Sequence, residues 1–179
     1  MNMKYKITLG IVAALILAGM FFFIFHRPNL LWSKKPSAPG SYIAKKQLAN
    51  VGYSTPEAAF ETVTWAMMTG NYDKTVESFA PEMQVEMKKD PNSRQQFKSA
   101  MKRGASSFKG MQIMARKTIA DDKVDLKVLT EDTRSKSPGI TYFLQVMAKI
   151  DNEWKVGGGT RGYATNWDNG SNIVTFVAQ

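Results

Sequence analysis

The chemistry open to this chain is bounded first by the side chains it lacks. Its 179 residues include no cysteine and one histidine, His26. Thiol nucleophiles, disulfides, zinc thiolates and iron–sulfur clusters are therefore excluded. So is any mechanism that needs an imidazole beyond position 26, a Ser-His-Asp triad included. Asp121, Asp122 and Asp125 have metal-like spacing, but a hairpin turn accounts for the first pair. Asn166, Asp168, Gly170 and Asn172 follow the rhythm of a calcium loop without its closing glutamate. Gly157, Gly158, Gly159 and Gly162 lack the Gly-Lys-Ser/Thr ending of a phosphate loop, so a strand exit or bulge is expected. No cofactor, metal or catalytic constellation is expected. Tyr72, Asp73 and Tyr142 remain as polar groups able to act on a ligand.

Charge supplies the second signal. The chain carries +9 at neutral pH, and residues 85–117 hold nine Lys and Arg against Glu86 and Asp90, an excess of seven. A basic patch of Lys88, Lys89, Arg94, Lys98, Lys102, Arg103 and Lys109 is expected there. Beside a bilayer such a patch is drawn to anionic headgroups; the plain alternative is a solvated helix face. Nucleic acid is not expected, because aromatics are not interleaved with these charges as stacking platforms require.

Three segments carry these groups. From Ile7 to Phe25, 19 residues bear no charge and only Thr8 is polar. As a helix they would span about 28 Å, close to a bilayer's hydrocarbon thickness. Residues 1–26 are accordingly read as a single transmembrane anchor, meeting lipid through residues 7–25. A cleaved signal peptide is the rival reading. Its apolar core is normally shorter and ends in a small-x-small motif, whereas this one ends in Phe-Phe-Phe-Ile-Phe. Lys4 and Lys6 on one flank balance Arg27, Lys34 and Lys35 on the other, so flanking charge leaves orientation open. A short leading tail is easily retained, which favours a domain on the periplasmic or extracellular side. Residues 27–49, with Pro28, Pro36, Pro39 and Gly40, read as a linker. Trp32 is either a headgroup anchor or an incidental aromatic.

The domain, residues 50–179, has an expected core at about 54–158 and a C-terminal extension at 159–179. Ser54 and Glu57 have capping-box spacing, with Pro56 tolerated in the first turn. Ala59, Phe60, Val63, Ala66 and Met67 then recur at helical spacing until Gly70. Asn71 caps a short second helix and Pro81 opens a third, running to about Lys89. A fourth begins after Asp90-Pro91-Asn92, with Ser93 and Gln96 as its capping box, and places Phe97, Ala100, Met101, Gly104 and Phe108 on one face. After Gly110 the period changes to two. Strands are expected around Met111–Ala115, Val124–Val128, Ile140–Ile150 and Trp154–Val156, joined by turns at Asp121-Asp122 and Asp151-Asn152-Glu153. Ile173 to Val177 adds an edge strand. Helices followed by an antiparallel meander give an α+β fold.

The run STPEAAFETVTWAMMTGNYDKTVESFAPE, with DNEWKV at Asp151–Val156, resembles the nuclear-transport-factor-2-like superfamily, particularly its uncharacterised membrane-anchored bacterial members. That superfamily shares a ketosteroid-isomerase-like, cystatin-like cone. The resemblance covers roughly residues 50–158 and implies helices packed on a curved antiparallel sheet. It implies a fold more than an activity. Single-pass assembly subunits of type IV secretion systems offer an architectural parallel.

Within such a cone, a pocket lined by Trp65, Met67, Tyr72, Asp73, Phe97, Met101, Tyr142 and Leu144 is expected, with core packing as the plain alternative. The strand at 140–150 is apolar on both sides. Phe143 and Met147, joined by Met114 and Leu129, are assigned to the outer sheet face, as a surface for a protein partner or a homodimer. Cover by the C-terminal extension is the alternative. The expected function is a membrane-anchored, non-catalytic interaction or binding module of a bacterial cell envelope. The other reading is a small-molecule-binding protein or enzyme using the cone cavity.

Overall fold

The computed structural model describes residues 37–133, 139–161 and 173–175. The expected anchor, residues 27–36 of the linker and most of the C-terminal extension lie outside them. Among the described residues no helix is long and apolar enough to cross a membrane. Residues 34–179 form one compact unit, with a main core drawn from positions 43 to 156 of that unit.

In chain order the elements are β1 (Tyr42–Ala44), a single 3-10 turn (Lys45–Gln47), α1 (Pro56–Thr69), α2 (Tyr72–Glu77), α3 (Pro81–Lys89), α4 (Pro91–Ser107), β2 (Phe108–Ala120), β3 (Lys123–Asp132), β4 (Ile140–Ile150), β5 (Glu153–Arg161) and β6 (Ile173–Thr175). The fold is α+β, as expected. The sheet is antiparallel, with order β1-β2-β3-β4-β5. β6 shares the free edge of β2 with β1: β1 pairs with residues 110–112 and β6 with residues 115–117.

Helix boundaries follow local capping chemistry. Thr55, not Ser54, caps α1, its hydroxyl accepting from the Ala58 N–H at 3.1 Å, with Pro56 in the first turn. α1 ends at Gly70, whose φ of 74° is the left-handed conformation that glycine adopts without strain. Asn71 caps α2 through Lys74 N–H. α4 is capped by Asp90 rather than Ser93, its carboxylate accepting from the backbone N–H groups of Asn92 and Ser93. These donor bonds, that to Asn92 foremost, hold the Asp90 carboxyl below the usual carboxylate range.

The domain also starts earlier than position 50. Tyr42–Ala44 pairs with β2, and Ile43 and Leu48 are buried in the core. Tyr42 explains the tight approach here. Its ring lies across Gly110, where any Cβ would collide with it. Its hydroxyl donates to Glu131 at 2.8 Å, and Lys109 binds the same carboxylate at 3.0 Å. β1 is thereby tied across β2 to β3.

α1 packs on the sheet through Phe60 and Val63 against Ile113, Leu126, Val128 and Met147. It is buried nearly all round, including Glu57, Glu61, Thr62 and Thr64. Each of these four α1 side chains has a partner, as the cost of desolvation requires. The Thr62 hydroxyl accepts from Val51 and Gly52 N–H and donates to Gly52 C=O, all within 3.1 Å. Glu61 accepts from Ser37 N–H, and Glu57 pairs with Arg116 at 3.3 Å. Knitting of the α2–α3 link to β5, through Val156 N–H to Ser78 C=O and Ala80 N–H to Val156 C=O, holds the helical layer over one end of the sheet.

Candidate functional site

A cavity of about 390 Å³ opens between α1, the α3–α4 pair and the sheet. One stripe of α1 forms its roof: Phe60, Val63, Thr64, Met67 and Met68 recur at the three- and four-residue steps of one helical face. Phe79 and Met83 close one side, and Gly104 with Phe108 the other. The floor is the helix-facing surface of the sheet, with Thr130 and Asp132 from β3, Phe143 and Gln145 from β4, and Val156 and Gly157 from β5. The lining is dominated by aliphatic, aromatic and thioether groups.

The polar lining groups are largely engaged with the protein. The Thr64 hydroxyl donates to Phe60 C=O at 2.8 Å, and the Gln145 amide donates to Val146 C=O at 3.0 Å. Asp132 is the one carboxylate among the described residues of the wall, held by the β3–β4 connection through its N–H to Gly139 C=O.

Gly104 separates this wall from ordinary core. A Cβ built there meets nothing within 4 Å, so no crowding demands glycine. Glycine inside a helix costs about 0.5–1 kcal/mol relative to alanine. The residue therefore leaves a stable helix slightly weaker and the cavity wall open.

The expected pocket residues are divided among three places. Met67 alone lines this cavity. Trp65 packs against the main core. Tyr72, Phe97 and Met101 join Val76 in a separate cluster, with Tyr72 and Phe97 edge to face at 6.0 Å and the Tyr72 hydroxyl donating to Met87 C=O. Tyr72, Asp73 and Met101 line a different groove, of about 580 Å³, between α4 and the α1–α2 junction. Tyr142 and Leu144 lie on the far face of the sheet, Tyr142 exposed and Leu144 packed with Ala115.

Two of the four residues expected on the outer face, Phe143 and Met147, lie on the other side. Phe143 meets Phe60 edge to face at 6.2 Å and Met147 is fully buried beneath the helices, so both lie on the inner face. Leu129 pairs directly with Tyr142 and shares its outer face. Met114 is the extra residue of a β-bulge between Ile113 and Ala115. Alternation sorts a strand into two sets. When both are apolar it does not say which set points inward, and here the register settles it. Phe60, Met68 and Gly104 were among the lining residues missed, and the α1 stripe and a glycine inside α4 were the signals for them; Phe143 was assigned to the opposite face.

The expected basic patch is partly gathered. Arg94, Lys98 and Lys102 form one ridge of α4, with Arg103 beside it and Lys88 and Lys89 at the end of α3. Lys109 belongs to β2 and pairs with Glu131. Among the described residues no group of three or more acidic or histidine side chains is placed to hold a metal ion. Asp121 and Asp122 sit in the β2–β3 turn, and Asp125 lies within β3.

No protein-family model and no curated protein matches the chain. It is similar in structure to the solution structure of a SEC-C motif containing protein from Rhodopseudomonas palustris, with 12% identity, 62% of this chain and 80% of that chain covered, and a TM-score of 0.48. That score is below what shows a shared fold. No likeness to the nuclear-transport-factor-2-like superfamily accompanies it, and the resemblance over residues 50–158, carried by 54–82 and 151–156, is corrected on that finding. The residues that suggested it have local explanations: Thr55 and Pro56 start a helix, Gly70 ends it, and Asn71 starts the next. The chain is an α+β protein.

Proposed function

We propose that this protein is a non-catalytic binding module, held at a bacterial envelope membrane by residues 7–25, that takes an apolar ligand in the cavity under α1. The observation that carries the reading is the open, apolar wall at Gly104. A cavity of about 390 Å³ falls within the usual range for small-molecule sites, about 300–1,000 Å³. Met67, Met68 and Met83 give it a lining that adapts to ligand shape. The non-catalytic part of the reading is supported by a lining with one carboxylate and with Thr64 and Gln145 donors turned to the backbone. Such a wall recognises length and apolarity more than polar pattern.

Calorimetric titration of residues 34–179 with straight-chain alcohols of increasing length tests this. Affinity is expected to rise by about 0.8 kcal/mol per buried methylene, then level off once the cavity is filled, with a negative heat-capacity change. Absence of saturable binding, or affinity indifferent to chain length, would refute the reading.

A further inference from the structure

We propose that the basic ridge of α4 docks on an anionic lipid surface. The proposal is independent of what fills the cavity. α4 contains four basic residues, Arg94, Lys98, Lys102 and Arg103, and no acidic residue along its 17 positions. Arg94, Lys98 and Lys102 stand four residues apart, the spacing at which like charges on a helix repel. Of these four, Arg94 alone has an acidic partner among the described residues, Asp73, at 3.7 Å across a largely exposed gap. Lys98, Lys102 and Arg103 make no ion pair among the described residues. A helix built this way is electrostatically unfavourable alone and is relieved by an external array of negative charge.

Three observations favour lipid over other polyanions. The adjacent helix α3 presents Val85, 62% exposed, one turn before Lys88 and Lys89. Glu82 stands one turn before Val85 and Glu86 pairs with Lys89 at 3.5 Å, so Val85 and Lys88 are what α3 offers at the boundary between headgroups and acyl chains. The ring that Arg94 and Lys98 cover, Tyr72 at 4.8 and 5.3 Å, is buried, so no base can stack on it. Finally, 16 residues lie between Phe25 and Tyr42, a reach of at most about 60 Å. With residues 7–25 inserted, the ridge would remain within range of the same bilayer.

Co-sedimentation of residues 34–179 with phosphatidylcholine vesicles, with or without phosphatidylglycerol, tests the docking without the anchor and without a cavity ligand. Binding is expected only to the anionic vesicles and is expected to weaken as salt rises. Lys98→Gln with Lys102→Gln should weaken it about fivefold per charge removed, about 25-fold together. Lys123→Gln with Lys149→Gln removes equal charge from the far end of the sheet and should leave binding within about twofold. Thermal melts of both variants verify that the exposed substitutions leave the fold intact. Equal binding to neutral vesicles, no binding to anionic ones, equal losses in the two double variants, or tighter binding to duplex DNA than to vesicles at the same salt would each overturn the proposal.

Discussion

Helices α1 and α4 are built alike and used oppositely. Both have a polar N-cap and a proline in the first turn, and they span 14 and 17 residues. α1 buries ten of its residues, including Glu57, Glu61 and Thr62, whereas α4 fully buries only Met101 and Ser107. α1 is the beam on which the sheet closes, and its polar groups are bonded because they have left water. α4 is a wall with one side wet, so its polar groups answer to solvent or to a partner. Opening a cavity at Gly104 and crowding positive charge on one ridge are tolerable in such a helix. In α1 either would reach the core.

The largest test of this contrast is truncation of the beam. Phe60→Ala should lower stability by about 3–5 kcal/mol, while Phe97→Ala in half-buried α4 should cost less than half as much; chemical denaturation of both measures it. Equal losses would mean that α4 carries as much of the core as α1. Thr62→Val comes next. It leaves the Val51 and Gly52 N–H groups without their acceptor, at a cost of about 2 kcal/mol. On α4 the sign reverses: Gly104→Ala should raise stability by about 0.5–1 kcal/mol and Tm by a few degrees. A destabilised Gly104→Ala would show that the wall is closed.

The smallest effect lies in pH and sharpens the role of β1. Burial, with the hydrogen bond and charge of Glu131, pushes the Tyr42 phenol up from 10.0 to about 12. The folded state thus holds the proton where the unfolded chain has released it. The stabilisation is complete below pH 10 and is lost as pH rises towards 12. Tyr42→Phe should flatten that alkaline fall in thermal melts. An unchanged fall would place its origin elsewhere.

The layer order was legible because period and punctuation changed together. A 3.6-residue rhythm with Pro and Gly stops gave way after Gly110 to alternation, and Asp151-Asn152, with φ of 50° and 64°, made the tight β4–β5 turn expected of them. β1 was hidden because three residues among prolines carry no pattern of their own; only pairing with β2 gives them structure. The site was hidden by symmetry. β4 reads Tyr-Phe-Leu-Gln-Val-Met, apolar on both faces, and the inward set is chosen by the partner strand, where Val124, Leu126 and Val128 face α1. Apolar residues of α1 were visible, but which of them meet a void depends on Gly104, some 40 positions away.

The most direct test of the central claim is a titration of residues 34–179 with an apolar fluorescent probe, wild type against Gly104→Leu, each checked by its thermal melt. Leucine at 104 projects into open space, so it should fold normally and fill the site. Saturable binding of one probe per wild-type molecule, lost in the folded variant, is the expected result. Equal binding by both proteins, or none by the wild type, would contradict the claim that this cavity is the protein's binding site.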